Sequence, residues 1–348
     1  MTSTETKETT VHSELGTSVH VSVSPHIRHK DSTATIMRDV MIALTPACIM
    51  GVYTFGWRVL AILLVTVVSC ILTELVYQRL MKLPVTVGDL SAAVTGMIIT
   101  VNMPTLPWEY IWMPALGGVF AILVVKQLFG GIGHNIMNPA LAARCFLLIS
   151  FAGPMTKFPE TIRLLFEGGV SSGATPMAML KAGESIDWLQ MIFNTHNGSI
   201  GEASVIAILL GALYLLVRRV ITLHIPLTYI GSTLLFVCLI NLITGSADVL
   251  TVNYLVAHLC GGGLLIGAFF MANDYVTCPI TPKGQIVYGV LLGLLTAIFR
   301  VLGSGVEGVS YAIITGNLLV PLIERFTVPK PFGTRGKART KRSRGVSV

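Results

Sequence analysis

Long apolar runs are the feature of this sequence that most constrains its fold. Of the 348 residues, 53% are hydrophobic and only 12% are charged, whereas a soluble domain carries about 25% charged residues. A helix needs about 20 apolar residues to cross the hydrocarbon core of a bilayer. The sequence therefore predicts an all-α polytopic membrane protein with about ten transmembrane helices, at residues 37–56, 59–81, 89–103, 111–130, 138–153, 203–221, 225–244, 254–272, 284–302 and 309–326.

The distribution of Lys and Arg orients these helices, because cytoplasmic connections carry an excess of both residues. One set of connections and both terminal segments hold most of them: Arg28, Lys30, Arg38, Arg79, Lys82, Lys126, Arg218, Arg219, Lys283 and the C-terminal tail. The opposite set holds Arg58, Arg300 and a long polar loop in which acidic residues outnumber basic ones. We therefore predict that both termini are cytoplasmic and that the loop is extracytoplasmic.

Five segments follow from this pattern: a cytoplasmic N-terminal segment at 1–35, helical regions at 36–153 and 203–327, the loop at 154–202 between them, and a basic cytoplasmic tail at 328–348. The first segment lacks the apolar stretch of a signal peptide, so the first helix is expected to direct insertion. Contact with anionic lipid is favoured for the tail over nucleic-acid binding. The six cysteines form no C-x-x-C pair, which argues against an iron–sulfur or zinc site within this chain.

The two helical regions share spaced motifs. Two patterns recur at nearly the same offset: Gly96-x5-Asn102 as Gly267-x5-Asn273, and Gly131-x-Gly133 as Gly303-x-Gly305. Each region would hold five helices, and because five is an odd number the second region would enter the membrane from the opposite side. The sequence thus predicts two inverted five-helix repeats, a plan common among transport folds. Chance recurrence in a glycine-rich chain is the alternative.

Polar segments interrupt the apolar pattern at matching places in the two regions, at 102–107 and 273–279. Proline ends helices, and Asn and Thr side chains can satisfy the carbonyl groups that are freed. A glycine-rich link at 130–138 ends in Asn138, a suitable N-cap before Pro139. Because such helix ends suit carbonyl or phosphate groups, Asn135 and Asn138 are candidate binding residues. Helix capping without a ligand is the alternative.

Four ionisable residues lie within apolar stretches: Glu74, Lys126, Arg144 and Asp274. Intramembrane charges are candidates for function. Lys126 and Arg144 could instead extend from near the cytoplasmic surface. Glu74 and Asp274 are the better candidates for contact with a cation.

The most specific motif is Ser172-Gly173-Ala174-Thr175, in the middle of the long loop. Its small residues leave the Thr175 hydroxyl sterically open, and glycine lets the backbone approach a ligand closely. The tetrapeptide resembles the flavinylation site of two related membrane proteins, NqrB of the Na⁺-translocating NADH:quinone reductase and RnfD of the Rnf complex. In those proteins, FMN is joined to a threonine hydroxyl through a phosphoester bond. An unmodified threonine in a flexible Ser/Gly loop is the alternative.

Further segments strengthen the resemblance to RnfD over roughly residues 22–333. They are residues 24–27, 126–135, 138–140, 267–270 with Asp274, and 307–309 with Asn317 and 320–323. The short N-terminal region favours RnfD over its quinone-reductase relative. One departure is that members of the family often carry an Asp shortly before the modified threonine, whereas the nearest acid here is Glu167.

The resemblance implies a urea-channel-like fold and the membrane subunit of a redox-driven ion pump in the bacterial inner membrane. Such a complex passes electrons between ferredoxin and NAD⁺ and moves Na⁺ or H⁺. The implied partners include an FMN-bearing subunit and iron–sulfur subunits. The implied cofactor is FMN on Thr175, which acts as a tether and not as an acid–base catalyst, and a second, non-covalent flavin such as riboflavin stays open. Oxygen-bearing residues at the two breaks are predicted to line an ion path or a second flavin pocket: Asn102, Asn273, Asp274 and Thr277.

Two other functions remain open from the sequence. A cofactor-free transporter or channel could use the same inverted-repeat fold, and a structural membrane anchor could hold a soluble complex. Covalently bound flavin would exclude both alternatives. The choice between Na⁺ and H⁺ is also open.

Overall fold

The computed structural model describes residues 10–12, 18–20, 32–158, 175–181, 191–192, 198–244, 252–303 and 308–329. A short antiparallel hairpin pairs β1 (Thr10–His12) with β2 (Ser18–His20). The other regular elements of these ranges are helical. The helices are α1 (Thr33–Phe55), α2 (Arg58–Leu80), α3 (Ser91–Val101), α4 (Trp112–Val119), α5 (Pro139–Ser150), α6 (Ala152–Met155), α7 (Pro176–Lys181), α8 (Val205–Val217), α9 (His224–Thr244), α10 (Val252–Cys260), α11 (Leu264–Ile266), α12 (Pro282–Val301) and α13 (Val309–Thr327).

Short wider or tighter turns complete these helices. A π-helical segment, Phe120–Gln127, continues α4, and another, Gly267–Met271, continues α11. Single 3₁₀ turns lie at Val87–Asp89, Trp108–Tyr110 and Ile200–Ala203. A helix therefore lies in each of the ten stretches that the sequence predicted.

The helices differ in how well their length suits a membrane. Within the described residues, six are long and apolar enough to cross a bilayer, and the pair α10 and Leu264–Met271, bent by 55°, would make a seventh. The chain is thus a polytopic membrane protein. The shorter helices α3, α5 and α8 have 11, 12 and 13 residues. At about 1.5 Å per residue none of them reaches the roughly 30 Å of a hydrocarbon core, so length and composition alone give fewer crossings than the predicted ten.

Small residues hold the long helices close together. Gly289 and Gly293 of α12 face α9, where an added Cβ would lie 2.0 Å from Thr228 Oγ1 and 1.9 Å from Ser232 Oγ. Close approach of this kind is how membrane helices gain packing energy without a hydrophobic driving force. In the first half, α3 is buried along its whole length. It therefore forms the centre of the bundle.

The two halves contact each other through equivalent helices. The first helices of the halves, α1 and α8, pack together, and so do the last, α5 and α13. The end of α3 also meets the end of the π-helical segment, because Asn102 Nδ2 lies 3.7 Å from Met271 Sδ. One core of buried residues is shared by both halves.

Two of the charges used to orient the chain are not surface charges. Lys126 and Arg300 are only 3% and 1% exposed, and Arg144 is 5% exposed. The interpretation of Lys126 and Arg144 as residues that extend to the surface is therefore wrong, since both are held by polar partners inside the bundle. The remaining basic residues keep the predicted asymmetry.

Candidate functional site

A cavity lies between the two halves at one end of the bundle. Helix ends form its walls: the start of α1, α3 and α5, the end of α8, and the segment after α11. Apolar side chains dominate the lining, which also contains six polar residues: Ser91, Lys126, Asn135, Asn138, Asn273 and Asp274. An apolar cleft with a few convergent polar groups is the usual form of a small-molecule site.

Asn138 and Asn135 bring two polar groups to this cavity. As predicted, Asn138 is the N-cap of α5, and its Oδ1 accepts hydrogen bonds from the amides of Ala140 at 3.0 Å and Leu141 at 3.4 Å. Its Nδ2 reaches the Met271 carbonyl of the other half at 3.4 Å. Asn135 Nδ2 donates to the Met137 carbonyl at 3.1 Å. Asn138 thus both caps a helix and joins the halves at the cavity wall.

The preceding link explains why asparagines can converge here. Gly130, Gly131 and Gly133 have φ values of 115°, 91° and 87°. Only glycine adopts such angles without strain. The glycines therefore let the chain reverse between the π-helical end of α4 and the start of α5.

The four residues predicted to line an ion path are only partly brought together. Asn273 and Asp274 line the cavity, whereas Asn102 and Thr277 do not. Asp274 accepts hydrogen bonds from Thr277 Oγ1 at 3.0 Å and from the Val276 amide at 3.4 Å. Burial raises the pKa of the Asp274 carboxyl, and these two hydrogen bonds oppose that rise. Asn273 Nδ2 donates to the Ala268 and Phe269 carbonyls at 2.8 and 3.3 Å, which is a capping role.

A buried ion pair borders the cavity. Lys126 Nζ lies 2.8 Å from Glu74 Oε1 and donates to Ser91 Oγ at 2.6 Å. Glu74 Oε1 also accepts from Gln127 Nε2 at 2.8 Å and from Gln78 Nε2 at 3.3 Å. Among the described residues, Glu74 Oε2 has no hydrogen-bond partner. The predicted cation for Glu74 is therefore the ammonium of this chain's own lysine.

Arg144 lies one helical turn beyond the cavity lining. Its Nη1 donates to Asn102 Oδ1 at 3.0 Å and to Ser310 Oγ at 3.1 Å. Asn102 Nδ2 donates to the Ile98 carbonyl at 2.7 Å, and this bond turns the amide oxygen toward Arg144. Asn102 therefore binds a guanidinium and not a free ion in this structure.

Thr175 lies near the opposite end of the bundle. It immediately precedes α7, is 9% exposed, and its carbonyl accepts from the Met179 amide at 2.9 Å. The other motif residues, Ser172, Gly173 and Ala174, lie outside the described residues. Helix α7 packs on α10, and Met177 lies 3.4 Å from the Cβ position of both Gly261 and Gly262.

Arg300 secures the surface beneath α7. It belongs to the last turn of α12 and donates to the carbonyls of His258, Gly261 and Gly262. At the other end of α12, Gln285 contacts Thr222, close to the cavity. Helix α12 has 20 residues, a length of about 30 Å, so Thr175 and the cavity lie at opposite ends.

Sequence reasoning missed several of these residues. Arg300 was assigned to a connection, yet it lies inside the bundle. Ser91 and Ser310, which hold Lys126 and Arg144, look unremarkable in the sequence. The three consecutive glycines at 261–263 were a usable signal, because φ is positive at Gly262 and Gly263 where the helix breaks.

Comparison with known proteins agrees with the sequence resemblance. The model of the NQR2, RnfD, RnfE family matches residues 20–333. The chain is 45% identical to the D subunit of the Na(+)-translocating ferredoxin:NAD(+) oxidoreductase complex of Acetobacterium woodii, over 90% of this chain and 95% of that protein. It is 37% identical to the D subunit of the proton-translocating ferredoxin:NAD(+) oxidoreductase complex of Clostridium ljungdahlii, over 90% and 96%. It is 34% identical to the D subunit of the ion-translocating oxidoreductase complex of Escherichia coli O127:H6, over 90% and 98%. The predicted resemblance to RnfD is thus confirmed, and the chain belongs to the NQR2, RnfD, RnfE family.

Proposed function

We propose that this chain is the membrane subunit of a redox-driven ion pump, an ion-translocating ferredoxin:NAD⁺ oxidoreductase. Within the complex it relays electrons through an FMN bound covalently to Thr175 and takes part in moving Na⁺ or H⁺. The observation that carries the proposal is family membership over residues 20–333, a range that contains the 172–175 motif. The chain is not catalytic alone and requires the other subunits.

The surroundings of Thr175 fit an attached flavin phosphate. Thr175 supplies a hydroxyl at the start of α7, and Met177 holds this helix against the glycine surface at Gly261 and Gly262. The buried guanidinium of Arg300 beneath that surface favours negative charge nearby. FMN, when bound, supplies the electron-transfer chemistry. The protein supplies attachment, orientation and a local positive potential.

The cavity at the other end supports a second part of the proposal. Asn135, Asn138, Asn273 and Asp274 offer amide and carboxyl groups within an apolar lining. This arrangement suits a non-covalent flavin such as riboflavin, or the entrance of an ion path. Asp274 is the acid in that lining.

The proposed architecture has ten crossings in two inverted repeats. Matched features support it: α1 packs on α8, α5 packs on α13, and Asn102 and Asn273 each donate to a carbonyl four residues earlier. Charge asymmetry supports cytoplasmic termini and an extracytoplasmic Thr175 in a bacterial inner membrane.

The covalent link is tested with Thr175→Ala, Thr175→Ser and the loop control Ser171→Ala. We expect flavin fluorescence of the denatured band on a gel to disappear in Thr175→Ala and to persist in Ser171→Ala. Thr175→Ser is expected to retain part of the signal, because a hydroxyl remains. Mass spectrometry of the peptide around Thr175 identifies the modified residue. Unchanged fluorescence in Thr175→Ala would exclude this attachment site, and no flavin in the unmodified chain would favour the cofactor-free transporter.

A further inference from the structure

We propose that Arg144 is the cation barrier of this chain. Its fixed positive charge closes the inner end of the cavity and prevents passive leakage of Na⁺ or H⁺ between the two halves. The inference rests on the membrane placement of the chain and does not depend on flavin attachment.

The position of Arg144 follows from helical geometry. Ile98 of α3 and Ala140 of α5 line the cavity. Asn102 and Arg144 each follow one of these residues by four positions, and residues i and i+4 lie on the same helix face. The Asn102–Arg144 hydrogen bond of 3.0 Å therefore lies one turn deeper than the cavity lining and closes the space between α3 and α5.

Partners from both halves hold the guanidinium in this place. Asn102 ends α3 of the first half, and Ser310 lies in the first turn of α13 of the second half. The Met271 sulfur contacts Asn102 from the π-helical segment. Arg144 therefore occupies the point where the two halves meet.

The far side of this point is tightly packed. Gly201 lies against Val101, where an added Cβ would be 2.7 Å from Val101 Cβ and 2.7 Å from Ile266 Cδ1. The Ile200 amide donates to the Met103 carbonyl at 2.9 Å. A cation that leaves the cavity toward the other face thus meets Arg144 first and dense packing next.

Arginine suits a permanent barrier because it stays protonated throughout the accessible pH range. A second monovalent cation about 4 Å from the guanidinium would be disfavoured on the order of a thousandfold at an effective dielectric constant of about 20. The same residue type excludes cations in other membrane pores.

The test measures leakage without redox substrates. The full chain within its complex is reconstituted into liposomes, a K⁺ diffusion potential is imposed, and Na⁺ and H⁺ uptake are recorded for the unmodified protein, Arg144→Met, Asn102→Asp and Ser310→Ala. We expect Arg144→Met to raise uptake at least tenfold. Asn102→Asp should raise it as well, because an isosteric carboxylate neutralises the guanidinium. Ser310→Ala keeps the charge and loses one hydrogen bond, so it should remain as tight as the unmodified protein.

Two results would overturn the proposal. One is unchanged uptake in Asn102→Asp, which keeps every other side chain and therefore decides the question even if Arg144→Met does not accumulate. The other is leakage of Ser310→Ala equal to that of Arg144→Met, because packing and not charge would then form the seal. Gel fluorescence of Thr175-bound flavin is recorded in parallel, so that failure of the flavin assignment is recognised separately.

Discussion

Replacing Lys126 by methionine should destabilise the protein strongly, because it leaves the Glu74 carboxylate buried without its cation. The side chains of Lys126 and Glu74 are 4% and 1% exposed, and their charged atoms are 2.8 Å apart. Removing one member of a buried ion pair costs about 3–5 kcal/mol. Gln127 and Gln78 still donate to Glu74 Oε1, so we expect a loss near the lower end, about 3 kcal/mol.

The companion variants separate charge from shape. In the double variant Glu74→Gln/Lys126→Met both charges are absent, and neutral replacements of buried pairs are often tolerated. We therefore expect the double variant to recover most of the loss. Arg79→Met is the matched control, because Arg79 is an exposed cation on the same helix as Glu74. A surface substitution of this kind should stay within roughly 0.5 kcal/mol of the unmodified protein.

Thermal unfolding in detergent with a thiol-reactive dye is a suitable assay, because Cys48, Cys70, Cys145 and Cys260 are buried and become reactive on unfolding. At roughly 2 °C per kcal/mol for a chain of this size, Lys126→Met should lower the Tm by roughly 6 °C at one fixed scan rate. A shift no larger than that of Arg79→Met would refute the reasoning. A double variant no more stable than Lys126→Met would refute it as well.

Two further predictions concern the cavity and the orientation. Asp274→Asn should uncouple ion movement from NAD⁺ reduction in reconstituted vesicles while gel-resistant flavin remains, and unchanged ion transport per electron would remove Asp274 from the mechanism. Because burial raises the pKa of Asp274, ionising it opposes folding as pH rises, so the Tm of Asp274→Asn relative to the unmodified protein should increase from pH 4 to pH 8. A reporter active only outside the cytoplasm should be active when fused after Lys181 and silent when fused after Gly333; the reverse pattern would contradict the charge-based topology.

Local sequence patterns were sufficient to place the helices. Apolar runs mark them because an unpaired backbone cannot remain in a bilayer, and a helix lies in every predicted stretch. The start of α5 was also predictable, because Asn138 and Pro139 suit the N-cap and first helical positions regardless of what lies around them. The number of crossings was less accessible, because α3, α5 and α8 are shorter than their apolar surroundings suggested.

The polar interior depended on contacts between residues that are distant in sequence. Lys126 and Glu74 are 52 positions apart, and Arg144 and Ser310 are 166 apart. A charged residue in an apolar run has the same local pattern whether it extends to the surface or pairs inside the bundle. Sequence therefore identified Glu74, Lys126, Arg144 and Asp274 as functional candidates without giving their partners.

The sequence by itself determined the membrane class, the helix positions, the family and the threonine predicted to carry the flavin, because each depends on local composition or on a contiguous motif. Only the tertiary structure decided that Asn102 binds Arg144, that Asn273 and Asp274 line a cavity, and that Arg300 supports the surface beneath α7. Packing of the two halves brings these groups together. The free energy of a buried charge depends on the partners that this packing supplies, and the order of residues along the chain does not specify them.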